Sequence, residues 1–318
     1  MNFSTEINFF PFISWDHWSN KKFKPNHFYQ TKEWFSVLTN TWDDLKIEIL
    51  QIGNEYAIPI FYQKKGVLKL VGSPIRGLFT PYGGFLGENQ YSQIQQLING
   101  DFCEISLKPG ISINSEKWSK NRTIITNIDN DLNKLWKNIK KETRSQIRQS
   151  EKNELEVIDC KSDSWVEPYF ELVKLTYSRQ NLKVPSTKKF YFQISEKLLP
   201  YHAKVLLIYF KKTVIAGGIF TLLGDTINFL DGASNREYQN LRPNNLLQWE
   251  IIKWASKNGF SSYDMIGANL PGIANFKQSF GGNLVDYQSI TWTPTFIGKL
   301  SWLFYEKFRN IFKRTKLI

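Results

Sequence analysis

The sequence predicts an α/β (α+β) protein of two domains, each built on a mixed, largely antiparallel sheet flanked by helices. Three observations carry that expectation. A chain of 318 residues, 42% hydrophobic and 22% charged, has mass for more than one core and the balance of a soluble globular protein. Three β-branched and aromatic runs follow one another from residue 203, separated by turn residues. Helical and strand patterns then alternate as far as residue 292.

In order, the first half offers a helix at "TKEWFSVLTN" and a hairpin at "KIEILQIGNEYAIPIFY". A glycine-rich stretch "GSPIRGLFTPYGGFLG", a helix near Gln90–Ile98 and a strand "DFCEISLK" follow. A basic helix over 131–152 joins the halves. The second half opens with an aromatic-apolar helical run at Leu172–Arg179, then a helix in "STKKFYFQISEKLL" with Ser186 as its N-cap. "AKVLLIYF", "VIAGGIFTLL" and "TINFLDG" read as an antiparallel meander turned at Lys211-Lys212-Thr213 and Gly224-Asp225. In "NNLLQWEIIKWASKNG", Leu247, Ile251, Trp254 and Ala255 recur at helical spacing, and Gly259 stops the helix. "FSSYDMIGA", "GIANFKQSF" and "NLVDYQSITW" complete the order as strand, helix and strand. A meander followed by crossover helices gives a mixed sheet whose parallel crossover is a natural ligand crevice. The expected organisation is a domain over 1–152 ending in the basic connecting helix, a second over 153–295, and a basic amphipathic helix over 296–318.

Lys and Arg total 41 against 29 acids, a net charge of +12. The excess is local. Residues 137–152 hold six bases against two acids, and residues 296–318 six against one. Such clusters suit an anionic partner: phosphate, nucleic acid or a membrane surface. Two cysteines, Cys103 and Cys160, cannot build a disulfide framework, and a reducing, cytoplasmic setting is the simplest expectation. The N-terminus lacks the basic start of a secretion signal, and no apolar run approaches the roughly 18 to 20 residues of a membrane span. Three scattered histidines lack metal spacing, and no G-x-S-x-G, H-E-x-x-H or Walker loop is present, so no metal site is expected.

"NLRPNNLLQWEIIKWASKNGFSSYDMIGANLPGIANFKQSFGG" resembles the C-terminal half of FemABX-type transferases and related acetyltransferase-like proteins of the GNAT superfamily. "LWKNIKKETRSQIRQSEKNELEV" is similar to the Trp, Arg and Arg pattern that precedes the second domain in that group. "FYQTKEW" and "PYGG" resemble its N-terminal half. The resemblance covers most of residues 27–292 and implies two GNAT-like domains that transfer an acyl or aminoacyl group to an amine. It also implies no tightly bound cofactor, with acyl-CoA or aminoacyl-tRNA as the donor co-substrate. The chain departs from the pattern where a glycine-rich loop should cradle pyrophosphate: the position reads "QNLRPNNLL", without glycine. A long helical arm found in some FemABX members is also missing, which leaves any grip on transfer RNA to the basic helix.

The resemblance implies that Lys277 sits at the reaction centre, where a cation stabilises the oxyanion formed when an amine attacks an ester or thioester. Phe276 and Phe280 flank it and should desolvate it partly. Asp264, in the strand before it, is a candidate general base. Asp231, ending the third meander strand, should face the same crevice by alternation. Arg242 precedes Pro243 at a helix start beside Asn244, where anion binding is favourable. Arg144 and Arg148, one helical turn apart, could clamp one phosphate. Arg76 and Tyr82 stand beside flexible glycines in "IRGLFTPYGG" and are candidates for substrate binding.

The reading is an N-acyltransferase whose acceptor is an amine on a small-molecule or lipid-linked precursor of the cell envelope or on a sugar nucleotide. The alternative is a non-catalytic module that holds an anionic polymer or lipid head group. In the tail, Phe296, Leu300, Leu303, Phe304, Phe308, Ile311 and Phe312 share one helical face, with bases mostly elsewhere. That helix either packs on its own protein or docks at the inner face of an anionic membrane.

Overall fold

The structure, a computed structural model, describes residues 6–87, 93–112, 118–178 and 182–303. Its strands run β1 Ile7–Pro11, β2 Leu45–Ile52, β3 Tyr56–Lys65, β4 Leu68–Ser73, β5 Phe102–Ser106 and β6 Ser119–Asn127. They continue as β7 Glu156–Cys160, β8 Ala203–Phe210, β9 Thr213–Leu223, β10 Thr226–Ser234, β11 Ser262–Asp264 and β12 Asn283–Trp292. The helices are α1 Lys32–Thr41, α2 Leu132–Asn138, α3 Lys141–Lys152, α4 Val166–Ser178, α5 Lys188–Leu198, α6 Pro243–Lys257 and α7 Pro271–Gln278.

The chain forms two compact units, one of Met1–Phe35, Trp42–Lys120 and Tyr287–Ile318, the other of Ser36–Thr41 and Asn121–Asp286. Both follow one plan. In the first, β1 to β4 form an antiparallel meander, β5 pairs parallel with β4, and β12 closes antiparallel on β5. In the second, β7 to β10 form the meander, β11 pairs parallel with β10, and β6 closes antiparallel on β11. Each unit thus takes its closing strand from outside its own meander-and-crossover run, which makes the first unit discontinuous.

The expected division at residue 152 is corrected. The basic segment is two helices, α2 and α3, broken at Ile139, and both belong to the second unit. Apolar packing decides this. Leu135, Ile139 and Ile147 are buried in one cluster with Leu246, Leu247 and Ile251 of α6. Burying one such side chain contributes about 2 kcal/mol, more than a surface ion pair's roughly 0–1 kcal/mol. The helix expected near Gln90–Ile98 is, among the described residues, only a 3₁₀ turn at Ile94–Gln96. Ser186 does not cap α5: Thr187 holds that position, and the Ser186 hydroxyl donates instead to the Tyr191 phenol at 2.9 Å.

Two adjacent glycines show how the second sheet is covered. A Cβ on Gly217 would meet Tyr169 of α4, whereas one on Gly218 would meet Leu247 of α6. Neighbouring strand residues point to opposite faces, so α4 and α6 lie on opposite sides. The core on the α6 side holds Phe220, Ile227, Tyr263, Met265 and Ile124. In the first unit, Leu50, Ile52, Ile58, Ile60, Val71, Ile105 and Ile290 form the corresponding core. No helix among the described residues is long and apolar enough to cross a membrane.

Candidate active site

In the second unit β10 and β11 are in parallel register for three residues, Thr226 with Ser262, Ile227 with Tyr263 and Asn228 with Asp264. β11 then stops, while β10 continues to Ser234. A parallel pair that opens at its carboxyl ends leaves a crevice there. Helices α6 and α7 both start on that side, because each follows one of these strands.

Lys277 occupies the point of parting. It is 9% exposed, and its Nζ donates to the carbonyl oxygens of Ile266 and, at 3.0 Å, Gly267, the residues just beyond β11. The ammonium also lies 5.6 Å over the ring of Phe229, the residue after the last parallel pair on β10. Ile266 and Gly267 take left-handed conformations, φ +48° and +62°, which aim two consecutive carbonyls at one cation. For a β-branched residue that conformation is strained by about 1–3 kcal/mol. Asp264 holds it from the other side: its Oδ1 accepts from the Ile266 amide at 2.9 Å and from the Thr123 hydroxyl. Burial pushes the Lys277 ammonium down to about 8, and the nearby Asp264 carboxylate opposes that fall. Phe276 packs edge-on against Phe280 at 5.3 Å. The turn after α7 is fixed by close approach, since a Cβ on Gly282 would fall 2.3 Å from the Ile124 side chain. Lys277 and Asp264 therefore hold the same Ile266–Gly267 segment from two sides.

Asp231 is not with them. A β-bulge at Leu230 shifts the register between Phe229, opposite Phe220, and Asp231, opposite Ile219. The extra residue turns Asp231 to the face opposite Phe229, so alternation misplaces it by one. Its Oδ2 accepts from the phenols of Tyr169 in α4 at 3.1 Å and Tyr191 in α5 at 3.0 Å. Burial pushes this carboxyl up, against the stabilising effect of both phenols and the Gly232 amide. The expectation of a shared crevice with Lys277 is corrected: Asp231 ties two helices to the sheet.

At the start of α6, Arg242 is left-handed, φ +60°, without glycine's freedom. Its carbonyl accepts from the amides of Asn245 at 3.1 Å and Leu246 at 3.3 Å. Pro243 has no N–H, so the Asn244 amide alone remains at this helix start. The Asn244 side chain donates to the Ser234 hydroxyl at 3.1 Å, fastening α6 to the end of β10. Nε of Arg242 is buried without a hydrogen-bond partner. Arg144 and Arg148 do not converge. Arg144 donates to the Trp136 carbonyl at 3.5 Å, whereas the Arg148 guanidinium stacks 5.5 Å over the Trp136 ring.

In the first unit, Arg76 donates through Nε to both Glu104 carboxylate oxygens, at 3.0 and 2.9 Å, and through Nη2 to the Thr291 hydroxyl at 3.0 Å. Its guanidinium lies 5.3 Å from the Phe102 ring and 5.6 Å from that of Trp302. It borders a cavity of about 270 Å³ lined largely by Leu68, Leu70, Phe102 and Trp302. The expected ligand contact from Tyr82 is corrected to core packing: it is 1% exposed, with Tyr287 edge-on at 4.9 Å. A helix runs from Phe296 to the last described residue, 303. Trp302 packs on Phe102, whereas Phe296, Leu300 and Leu303 are 79%, 46% and 63% exposed. The rest of the expected tail face, Phe304, Phe308, Ile311 and Phe312, lies outside the described residues.

The sequence reading missed Thr123, which no local pattern links to Asp264, and the role of Gly267, whose position just past a strand was a usable signal. It also missed a buried Lys204, which donates to Asp159 at 2.7 Å and lies 4.4 Å over the Trp254 ring. Burial lowers its ammonium, opposed by Asp159. Burial also pushes the Cys103 and Cys160 thiols up to about 11 and His27 down to about 3, which keeps both thiols protonated and the imidazole neutral near neutral pH.

Residues 137–278 match the family model of the acetyltransferase (GNAT) domain. No curated protein matches the chain. Among solved structures, the fold is similar to that of FemX, with 14% identity and a TM-score of 0.62 over 84% of this chain and 93% of that one. A conserved protein of unknown function from Bacteroides thetaiotaomicron VPI-5482 shares 8% identity at a TM-score of 0.60, over 89% and 99% of the two chains. The C-terminal domain of an Agrobacterium fabrum protein assigned as a lysylphosphatidylglycerol synthetase shares 9% identity at 0.55, over 85% and 93%. Residues 137–278 therefore carry a GNAT-type domain, and the fold is similar to that of FemX.

The displaced Lys277 has a measurable consequence. Its folded value, about 8, lies below the ordinary 10.5, so between those pH values the unfolded chain binds more protons. Stability contributed through this group therefore rises with pH from about 8 to 10.5, by up to about 3 kcal/mol. Urea unfolding at pH 7.5 and 10 should show that rise in the native protein and lose it in Lys277→Met. Equal pH dependence in both proteins would contradict the assignment.

Proposed function

We propose that this protein transfers an acyl or aminoacyl group from an activated donor to an amine, with Lys277 at the reacting carbonyl. The observation that carries the reading is the position of its ammonium, where β10 and β11 part. A lysine ammonium has three N–H donors. Two are held by the Ile266 and Gly267 carbonyls, so the third is oriented before a substrate arrives. A donor carbonyl lodged in the crevice would receive that third N–H. The acceptor nitrogen then bonds to the carbonyl carbon, and the oxygen's developing charge falls beside the ammonium. Collapse breaks the bond to the donor's sulfur or oxygen and returns the carbonyl as an amide. The nitrogen's proton leaves to solvent. Asp264 fixes the carbonyls that aim Lys277 and acts through them.

An ester or thioester donor, acyl-CoA or aminoacyl-tRNA, fits this chemistry. The acceptor, a cell-envelope or sugar-nucleotide amine, follows from the resemblance in "YDMIGANLPGIANFKQSFGG". The occupied α6 amides favour a donor gripped by side chains rather than by a backbone cradle.

Lys277→Ala should lower kcat for transfer by about 10²- to 10³-fold while the protein stays folded. In the native enzyme kcat should fall as pH rises through about 8, where Lys277 loses its proton. Native turnover in the alanine variant would overturn the role. A native protein that binds donor and transfers nothing would instead be a binding module.

We also propose peripheral contact with an anionic membrane through the 296–303 helix. Its apolar stripe is exposed, and residues 296–318 hold six bases against one acid. Sedimentation with anionic vesicles at low salt should capture the native protein, spare neutral vesicles, and lose the triple variant Phe296→Ser, Leu300→Ser, Leu303→Ser. Equal capture of native and variant protein would remove the stripe from the contact.

A further inference from the structure

The donors that fit the proposed reaction carry phosphates, and the α6 start offers them little. Pro243 has no N–H, and the Asn245 and Leu246 amides both return to the Arg242 carbonyl. One free amide is not a phosphate cradle. Charge is supplied next door. Helix α3 borders an open groove of about 600 Å³ lined by Lys141, Ser145, Arg148, Gln149, Lys152 and Asn153. Among the described residues the lining holds three cations and no carboxylate; Glu142 and Glu151 of the same helix are not part of it.

The groove adjoins the turn into α6. Gln149 donates to the Asn240 carbonyl at 3.3 Å, and Asn153 to the Leu241 carbonyl at 3.4 Å. Gln146, on the same helix, accepts from the Asn245 side chain at 3.0 Å. These bonds fix α3 against the two residues before Arg242. The cations are also arranged. Arg148 and Lys152 are one turn apart, so their heads can meet on one phosphate, while Lys141 lies about 10 Å further along the helix. Stacking on Trp136 and the bond from Nε to the Arg144 carbonyl orient the Arg148 guanidinium. A guanidinium so held presents its remaining donors as a fork suited to phosphate oxygens.

We propose that this groove binds the phosphorylated end of the donor, through Lys141, Arg148 and Lys152 with Gln149 and Ser145 as neutral donors. The inference rests on the acyl-transfer reading for its ligand. The shared chemistry is a set of closely spaced phosphates beside a nucleoside. Two sources supply it: the adenosine phosphates of coenzyme A and the terminal nucleotides of an RNA.

The test titrates the full-length protein with two probes, coenzyme A and a 12-nucleotide RNA ending in CCA, at several salt concentrations. Three proteins are compared: native, Arg148→Ala/Lys152→Ala, and the control Lys64→Ala/Lys65→Ala, which removes equal charge from the exposed end of β3. The native protein should bind at least one probe. The α3 variant should lose affinity at least tenfold, with unchanged thermal unfolding and a shallower dependence on salt. The control should stay within twofold of native. Binding of coenzyme A alone or RNA alone names the source, and either supports the site. Loss of both probes from the native protein, affinity retained in the α3 variant, or an equal loss in the control overturns it. Transfer that depends on Lys277 alongside such a result would leave the reaction standing without this site. Probe binding lost in the α3 variant with no transfer in the native protein would leave the site standing without the reaction.

Discussion

A buried ammonium must be solvated by the protein itself, and the arrangement around Lys277 follows from that requirement. Leaving such a charge without partners would cost several kcal/mol. Two backbone carbonyls and an aromatic face replace water, and they converge because Ile266 and Gly267 both turn left-handed. That turn is itself strained at Ile266, and Asp264 offsets the strain by accepting from the same residue's amide. One peptide segment is thus gripped by a carboxylate on its N–H side and an ammonium on its C=O side. Strain and a destabilised charge persist in folded proteins mainly where function requires them.

The sheet explains why this grip stands at an opening. Parallel pairing of β10 with β11 lasts three residues, and the bulge at Leu230 then turns β10 so that Phe229 and Asp231 serve opposite faces. Phe229 lies under the Lys277 ammonium, while Asp231 anchors α4 and α5 through two phenols. The bulge separates a carboxylate that holds the scaffold from the cation assigned to the chemistry. On the far side of the opening, Arg242 and Pro243 start α6 with its amides nearly all spoken for. A ligand anion arriving there meets side chains rather than backbone.

Much of this was legible in the sequence, for reasons that differ by residue. The meander from 203 to 232, α6 and α7 were readable because β-branched runs, turn residues and a 3.6-residue apolar period agree there. The glycine-free approach to α6 was visible as an absence, and the structure shows how Arg242 takes the left-handed role. The two-unit plan was readable as similar element orders, but not the closing strands, because β6 and β12 pair across long sequence separations. The place of α2 and α3 was misread because their charge is conspicuous and their few apolar residues are not. Asp231 was misplaced because counting by twos fails at a bulge, which no local signal announced. Tyr82 was misread because glycines that open a loop also let a ring bury.

The central claim is that Lys277 is a desolvated cation held at the parting of two strands. The most direct measurement follows the ε-carbon and ζ-nitrogen resonances of Lys277 by NMR in protein labelled at lysine, assigned with Lys277→Arg. The account predicts a midpoint near 8, apart from lysines titrating near the ordinary value of about 10.4. A Lys277 midpoint in that ordinary range would show a solvated surface lysine and contradict the account.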